Sequence, residues 1–197
     1  MAKRRKKQVY EFKPDREQTS LLKRLYLTRL QRLQILKWGS HGALCVLLLT
    51  VQDVIMSQFR FSGATTDLAV CAIFLIGLYE GTENGSLFAF IASLVYLFSG
   101  SSPGAQCIAL ISCTVVVLNL LRQSLWHRSG GSILLCTCAG IVIYEILNFL
   151  FGIFVGNTIW ERLPVFALVA AFTCACAFPL YPLVKLISKI GGDTWKE

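Results

Sequence analysis

From residue 42 onward the sequence is a series of long apolar runs separated by short polar segments. The first run, 42–59, contains a single charged residue, Asp53. A helix needs roughly 17–25 apolar residues to cross the hydrocarbon core of a bilayer. The runs therefore predict an all-α, polytopic membrane protein in which residues 42–190 form a six-transmembrane-helix bundle. The predicted spans are 42–59, 65–80, 85–99, 105–121, 133–155 and 164–184. The polar stretch 80–85 is predicted to join the second and third spans, and Pro179 and Pro182 are predicted to break the sixth.

The predicted second and third spans are the shortest. Their uninterrupted apolar parts, 68–79 and 86–99, reach span length only when small polar neighbours are included. A re-entrant hairpin is therefore an alternative to two full crossings. Both possibilities contribute an even number of crossings, so the orientation predicted for the later spans is the same.

Basic residues are concentrated at the N-terminus, where residues 1–41 contain 12 of the 19 lysines and arginines. With the N-terminus inside and six crossings, 17 of the 19 lie on the cytoplasmic side, in keeping with the positive-inside rule. The sequence therefore predicts a plasma-membrane protein with both termini in the cytoplasm and residues 191–197 as a cytoplasmic tail. Beside a membrane domain, the basic segment indicates contact with anionic lipid rather than with nucleic acid.

The basic N-terminal segment divides into two parts. Residues 1–14 are predicted to be a disordered tail, and residues 15–38 an amphipathic juxtamembrane helix with apolar residues recurring on one face. Trp38 is predicted at the water–lipid boundary, with Gly39 and Ser40 turning the chain into the bilayer. The helix either lies in the headgroup layer or docks against a partner's helix. Its candidate lipid or partner contacts are Lys23, Arg24, Arg29 and Arg32.

Three polar residues of the predicted spans are candidates for lining a cavity: Asp53, Glu145 and Asn148. An ionisable group inside a bilayer costs about 2.5–3.5 kcal/mol on insertion scales, so it needs a partner or a function. Glu145 and Asn148 lie one turn apart on the same helical face. They either line a polar pocket or join helices through hydrogen bonds. Asp67, at the mouth of the second span, is predicted to cap that helix.

The residues that catalysis or metal binding would need are sparse. The two histidines, His41 and His127, fall in cytoplasmic flanks without a ligand-spaced partner. Glu80 and Glu83 are predicted to be solvated in an exposed loop. The eight cysteines lie in apolar runs without a CxxC motif and are predicted to be small packing residues. The sequence therefore predicts a protein that is not an enzyme and holds no cofactor or metal.

Residues 64–190 contain an ordered set of short motifs: Thr66-Asp67-Leu68 at the start of a span, the basic stretch 122–128 after another, and Tyr144-Glu145 within a third. This set resembles the MreD family of bacterial rod-shape-determining membrane proteins. Thr66-Asp67-Leu68 is similar to that family's Pro-Asp-Leu opening of a span, and Tyr144-Glu145 stands in the place of its Tyr-Glu. The stretch 122–128 resembles its basic cytoplasmic loop, whereas Tyr96 stands where the family commonly has an aspartate. The family-like structural positions are Asp67, Gly81, Gly85, Gly100, Gly104, Pro164 and Pro179.

The resemblance implies a six-helix bundle similar to the substrate-binding subunits of energy-coupling-factor vitamin transporters. It also implies a non-enzymatic scaffold in the complex that elongates the peptidoglycan side wall and determines rod shape. The implied partners are a single-span periplasmic scaffold protein of the MreC type, an actin-like cytoskeletal filament and the wall synthases. An alternative with the same architecture is a substrate-binding membrane subunit of a vitamin-type uptake transporter. A membrane-embedded enzyme is disfavoured because the sequence shows no catalytic constellation.

Overall fold

The computed structural model describes residues 29–56, 58, 63–125 and 130–189. Within these residues the chain forms six α-helices and no β-strand, which confirms the all-α class. The helices are α1 (Arg29–Val51), α2 (Leu68–Glu80), α3 (Thr82–Phe98), α4 (Gln106–Leu125), α5 (Gly130–Phe154) and α6 (Leu163–Ser188).

Four helical segments of the described chain are long and apolar enough to cross a membrane, which is compatible with an integral membrane protein. They are Arg32–Ile55, Gln106–Ser124, Gly130–Phe154 and Trp160–Ser188. The first includes a π-helical turn after α1, and the last includes a 3₁₀ turn before α6. The 13 residues of α2 extend about 20 Å, against a hydrocarbon core of about 30 Å. The two shorter helices, α2 and α3, correspond to the second and third predicted spans.

α2 forms the centre of the bundle. Every residue of α2 except Tyr79 is buried, and the helix packs against the five other helices. Its sequence is apolar on every face, which is typical of a helix enclosed on all sides. The surrounding helices carry exposed apolar side chains on their outer faces, among them Phe90 on α3, Val117 on α4 and Leu150 on α5.

α2 and α3 form a tight hairpin whose single connecting residue is Gly81. Gly81 has a φ of 88°, a conformation that residues with a side chain rarely adopt. Gly85 lies against the backbone of Gly77, so a Cβ on Gly85 would overlap the Gly77 carbonyl group. The predicted polar loop at 80–85 is therefore wrong. Residues 82–85 form the first turn of α3, because glycine allows the two helices to approach this closely.

α1 runs unbroken through the segment where the sequence predicts a boundary between a juxtamembrane helix and the first span. The predicted turn at Gly39 and Ser40 is wrong. Ser40 Oγ donates to the Leu36 carbonyl oxygen at 2.7 Å, so this polar side chain is satisfied within the helix. Trp38 packs against Phe88 of α3, with ring centroids 6.0 Å apart. The N-terminal approach and the first span are thus one continuous helix.

Most of the predicted basic segment lies outside the described residues, including the tail 1–14 and residues 15–28. The C-terminal segment 191–197 also lies outside them. Of the four basic candidates, Lys23 and Arg24 are outside, Arg29 begins α1, and Arg32 is exposed near the start of that helix. Contact of these residues with lipid or a partner stays a prediction.

α6 continues from Leu163 to Ser188 although the sequence predicts a break at Pro179 and Pro182. That prediction is wrong. Apolar helices tolerate an internal proline where neighbouring groups and small local adjustments satisfy the freed carbonyl. Both prolines are exposed, so their rings point away from the helices packed against α6. Pro164 stands in the first turn, where its missing N–H leaves no helical hydrogen bond unmade.

Candidate functional site

Two groups of polar side chains inside the bundle lie at the two ends of α2. The C-terminal end of α2, here named the Glu80 end, meets the N-terminal part of α1 and the last turns of α4 and α6. The N-terminal end, here named the Asp67 end, meets α3, α5 and the first half of α6. The two ends differ in how completely their polar atoms are paired.

Lys37, His41, Glu80 and Ser188 form a buried hydrogen-bonded group, here named the Glu80 cluster. Lys37 Nζ donates to Glu80 Oε2 at 2.5 Å, and Ser188 Oγ donates to Glu80 Oε1 at 2.9 Å. His41 Nε2 lies 3.9 Å from Glu80 Oε1, while His41 Nδ1 lies 3.0 Å from the Lys37 carbonyl oxygen. All four residues are buried, and His41 is completely enclosed. The cluster joins α1, α2 and α6 and occupies both oxygens of Glu80.

Two side chains of α4 complete the Glu80 end. Asn119 Nδ2 donates to the Gly77 carbonyl oxygen at 3.0 Å, and Arg122 donates to the Leu78 carbonyl oxygen. The last carbonyl groups of a helix have no partner within that helix, so these bonds reduce the cost of burying the end of α2. Arg122 belongs to α4, which corrects its predicted place in a polar loop after the fourth span.

The Glu80 cluster overturns one prediction. The sequence predicts a solvated Glu80 in an exposed loop, but the structure buries Glu80 in one cluster with Lys37, His41 and Ser188. Glu83 is exposed, as predicted. A partial signal was available, since Lys37 and His41 lie four residues apart on one helical face. Their acidic partner is 43 residues from Lys37, a pairing that local spacing does not reveal.

Asp67 organises the opposite end of α2. Its Oδ1 accepts from the Val70 N–H at 3.2 Å, which confirms the predicted helix cap. Its Oδ2 accepts from the Tyr96 hydroxyl at 2.6 Å, and its backbone N–H donates to Thr173 Oγ1 at 3.1 Å. These bonds link α2 to α3 and α6.

A cavity of about 240 Å³, here named the polar cavity, lies beside Asp67. Its polar lining consists of Asp67, Tyr96, Ser101, Ser102, Tyr144, Glu145 and Asn148. The Tyr144 hydroxyl and Asn148 Oδ1 are buried, yet neither has a hydrogen-bond partner among the residues that the structure describes. A buried polar atom without a partner costs about 1–3 kcal/mol unless water or a ligand pairs with it. The polar cavity therefore presents two buried polar atoms that the described residues leave unpaired.

A larger apolar groove of about 460 Å³ adjoins the polar cavity between α5 and α6. On one side it is lined by Val142, Ile146 and Phe149, and on the other by Ala167, Ala170 and Ala171. Glu145 and Phe166 line both the groove and the polar cavity. The two spaces thus have an acidic side chain and an aromatic ring in common in their walls.

The three predicted cavity residues occupy different positions. Glu145 and Asn148 are buried and line the polar cavity. Asp53 is exposed in the π-helical turn after α1 and accepts a hydrogen bond from Ser101, which lines the cavity. The structure therefore brings two of the three together and places the third beside them. Their role toward a ligand stays a prediction.

The sequence analysis did not identify Tyr96, Tyr144 and Ser101 as cavity residues. Each belongs to a segment that reads as an apolar span or a turn, and each reaches the cavity only through the packing of α3 and α5 beside α2. Isolated hydroxyl groups in apolar helices commonly serve in helix packing, so their type and spacing do not distinguish them.

Within residues 29–56, 63–125 and 130–189, no three or more His, Cys, Asp or Glu side chains are grouped so as to hold a metal ion. No protein-family model matches the chain, and no curated protein or solved structure matches it either.

Proposed function

We propose that this protein is a non-enzymatic integral membrane scaffold of the bacterial rod-shape complex, where it helps to organise peptidoglycan synthesis along the side wall. The proposal starts from the resemblance of residues 64–190 to the MreD family and from the four segments of span length. Six crossings with both termini in the cytoplasm belong to the same proposal, since that orientation places 17 of the 19 basic residues inside.

The observation that carries the proposal is that the family-like residues occupy turns and close helix contacts. Gly81 makes the α2–α3 turn, and Gly85 packs on the backbone of α2. Gly100 and Gly104 have φ values of 79° and 146° in the connection between α3 and α4. Asp67 caps α2. These roles shape a bundle and contribute no reacting group, which supports a scaffold rather than an enzyme.

A scaffold also needs outer surfaces for its partners. Phe90, Val117 and Leu150 each expose about half of their surface on three different helices. In a bilayer such faces contact either lipid or another transmembrane helix. The proposed partners are a single-span periplasmic protein of the MreC type, the wall synthases and, on the cytoplasmic side, an actin-like filament.

Site-specific photo-crosslinking of the full-length protein in its native membranes tests this proposal. A photoreactive residue is placed at Phe90, Val117 or Leu150, and crosslinked proteins are identified by mass spectrometry. We expect at least one of the three faces to capture a single-span coiled-coil protein or a wall synthase. The same residue at Ile111, which is completely buried, is the matched control and is expected to capture none.

Two outcomes would contradict the scaffold proposal. One is the capture of paired ATPases and a helical coupling subunit, which would identify an uptake system. The other is normal rod shape and normal side-wall synthesis after the protein is depleted, since a shape-determining scaffold is required for both.

The polar cavity favours a second candidate, a substrate-binding subunit of a vitamin-type uptake transporter. Its unpaired Tyr144 hydroxyl and Asn148 Oδ1 suit a small polar substrate. The test is mass spectrometry of small molecules released from the purified protein. A compound that is present in the unaltered chain and lost from Asn148→Leu supports this function, whereas no compound enriched above an empty-membrane control contradicts it.

A further inference from the structure

The polar cavity and the apolar groove lie side by side along α5 and α6 and share two lining residues, Glu145 and Phe166. A polar space beside an apolar one matches the two parts of an amphiphilic molecule. Their volumes of about 240 and 460 Å³ each lie near or within the range of ligand pockets in proteins. The polar space is at the Asp67 end of the bundle, and the apolar space runs beside it along α5 from Val142 to Phe149 and along α6 from Leu163 to Cys174.

The lining of the polar cavity favours a headgroup that donates hydrogen bonds. Asp67 and Glu145 supply carboxyl groups, Asn148 Oδ1 is an unpaired acceptor, and no Lys, Arg or His is among the described lining residues. Both Asp67 oxygens already accept hydrogen bonds, from the Val70 N–H and the Tyr96 hydroxyl. Glu145 is therefore the acidic residue available to a headgroup, and it also lines the groove. An ionised carboxyl group attracts an ammonium group and repels a phosphate.

The groove provides the complementary apolar environment. Ala167 and Ala171 on α6 are exposed and face Val142 and Ile146, which are exposed on α5. The small alanine side chains leave space between two helices whose outer surfaces are otherwise apolar. Because this side of α5 and α6 has the character of a membrane-spanning surface, an alkyl chain can enter the groove from the bilayer without crossing water.

We propose that α5 and α6 bind a long-chain amine, with its ammonium group in the polar cavity on Glu145 and Asn148 and its alkyl chain in the apolar groove. The ammonium group provides donors for the unpaired Asn148 Oδ1 and for the Glu145 carboxyl group, so binding removes the desolvation cost of both. This assignment is independent of the proposed scaffold role, because it concerns a ligand site rather than a protein partner.

The test uses the full-length protein in phosphatidylcholine nanodiscs and a hexadecylamine probe with a photoreactive diazirine in its chain. Labelled residues are located by mass spectrometry, and competition by unlabelled hexadecylamine gives the apparent Kd. We expect saturable labelling on the groove residues of α5 and α6. Hexadecyl phosphate and the short-chain butylamine are each expected to compete at least ~10-fold more weakly. Hexadecyl phosphate lacks the charge-assisted hydrogen bond of the ammonium group, and butylamine leaves several methylenes unburied. Each loss exceeds the 1.4 kcal/mol that corresponds to a tenfold change in Kd.

Two variants separate the two halves of the site. Glu145→Gln alters the headgroup contact, and Ala171→Trp fills the groove, so each is expected to raise the apparent Kd at least ~10-fold. The matched controls are Glu83→Gln, an exposed acidic residue at the other end of α2, and Leu183→Trp, an exposed position on α6 outside the groove. Both controls are expected to leave the Kd unchanged. Thermal unfolding of each variant in the same nanodiscs identifies any that fails to fold.

Three results would overturn the proposal. Labelling spread evenly over all helices would show simple partitioning into lipid. Competition by butylamine as strong as that by hexadecylamine would show a site for a soluble amine. An unchanged Kd in a folded Ala171→Trp variant would show that the chain lies elsewhere, and this variant decides the matter even if Glu145→Gln does not fold.

Discussion

The two ends of α2 use similar residues in opposite ways. At the Glu80 end, a carboxylate deep in the bundle has a lysine and a serine on its two oxygens and a histidine close by. At the Asp67 end, Asp67 is likewise paired, but Glu145, Tyr144 and Asn148 border open space. At the Glu80 end both carboxylate oxygens are paired, whereas the Asp67 end contains polar atoms that no described residue pairs.

This difference shows that a buried acidic residue does not identify a binding site. What distinguishes the ends is whether neighbouring elements supply enough donors to satisfy the acceptors. Two helices, α1 and α6, direct polar side chains at the Glu80 carboxylate. Around Glu145, the facing segment of α6 supplies Val165, Phe166 and Val169, which offer no side-chain donor. The ends therefore respond differently to substitution.

Removal of Glu80 is expected to have the largest effect. Glu80→Ala leaves the Lys37 ammonium group buried without its partner, and breaking a buried ion pair in this way costs about 3–5 kcal/mol. The free energy of unfolding in detergent micelles or nanodiscs measures this loss. The control is Glu83→Ala, an exposed glutamate in the first turn of α3, which is expected to change stability by less than about 0.5 kcal/mol. The double variant Lys37→Met/Glu80→Leu is expected to recover most of the loss. A double variant as unstable as Glu80→Ala would contradict the stabilising role of the Lys37–Glu80 pair.

A smaller loss is expected from Gly85→Ala. The added Cβ overlaps the Gly77 carbonyl, so α2 and α3 must separate, and overpacking of this kind costs about 1–3 kcal/mol. The free energy of unfolding in detergent micelles or nanodiscs again measures this effect. Gly39→Ala is the matched control, because a Cβ there meets no atom of the described chain within 4 Å. Since alanine favours a helix, Gly39→Ala is expected to be neutral or stabilising by up to about 1 kcal/mol. Equal effects at the two glycines would argue against the close approach of α2 and α3.

Tyr96→Phe tests the paired part of the Asp67 end. The substitution removes the hydroxyl that donates to Asp67 Oδ2 at 2.6 Å while keeping the ring. We expect a loss of about 1–2 kcal/mol, as for other hydrogen bonds to a carboxyl group. A double-mutant cycle with Asp67→Asn measures the coupling directly. If the effects of the two substitutions are simply additive, the hydrogen bond does not contribute to stability.

Tyr144→Phe is expected to have the smallest effect and forms a matched pair with Tyr96→Phe. Both hydroxyls lie at the polar cavity, but the Tyr144 hydroxyl has no partner among the described residues. Its removal also removes its desolvation cost, so stability is expected to stay the same or to rise by up to about 1 kcal/mol. A loss as large as that of Tyr96→Phe would show that the Tyr144 hydroxyl is paired in the folded protein and that this end of α2 is as closed as the other.

The fold and part of the candidate site could be predicted from the sequence. The apolar runs predicted the helical class and the approximate place of each helix, and Asp67 was identified as a cap from its position before an apolar run. The errors arose where polar or helix-breaking residues were interpreted locally. Gly39, Ser40, Pro179 and Pro182 lie within continuous helices because packing and internal hydrogen bonds outweigh their local preferences.

The sequence by itself determined that this chain is helical and apolar, because hydrophobic run length and the scarcity of charge depend on neighbouring residues alone. Only the tertiary structure decided which polar residues meet. Glu80 pairs with Lys37 across 43 positions and with Ser188 across 108, whereas Glu145 faces a cavity. The reason is physical: a carboxyl group is satisfied or left open by the atoms that packing brings to it, and those atoms come from distant helices.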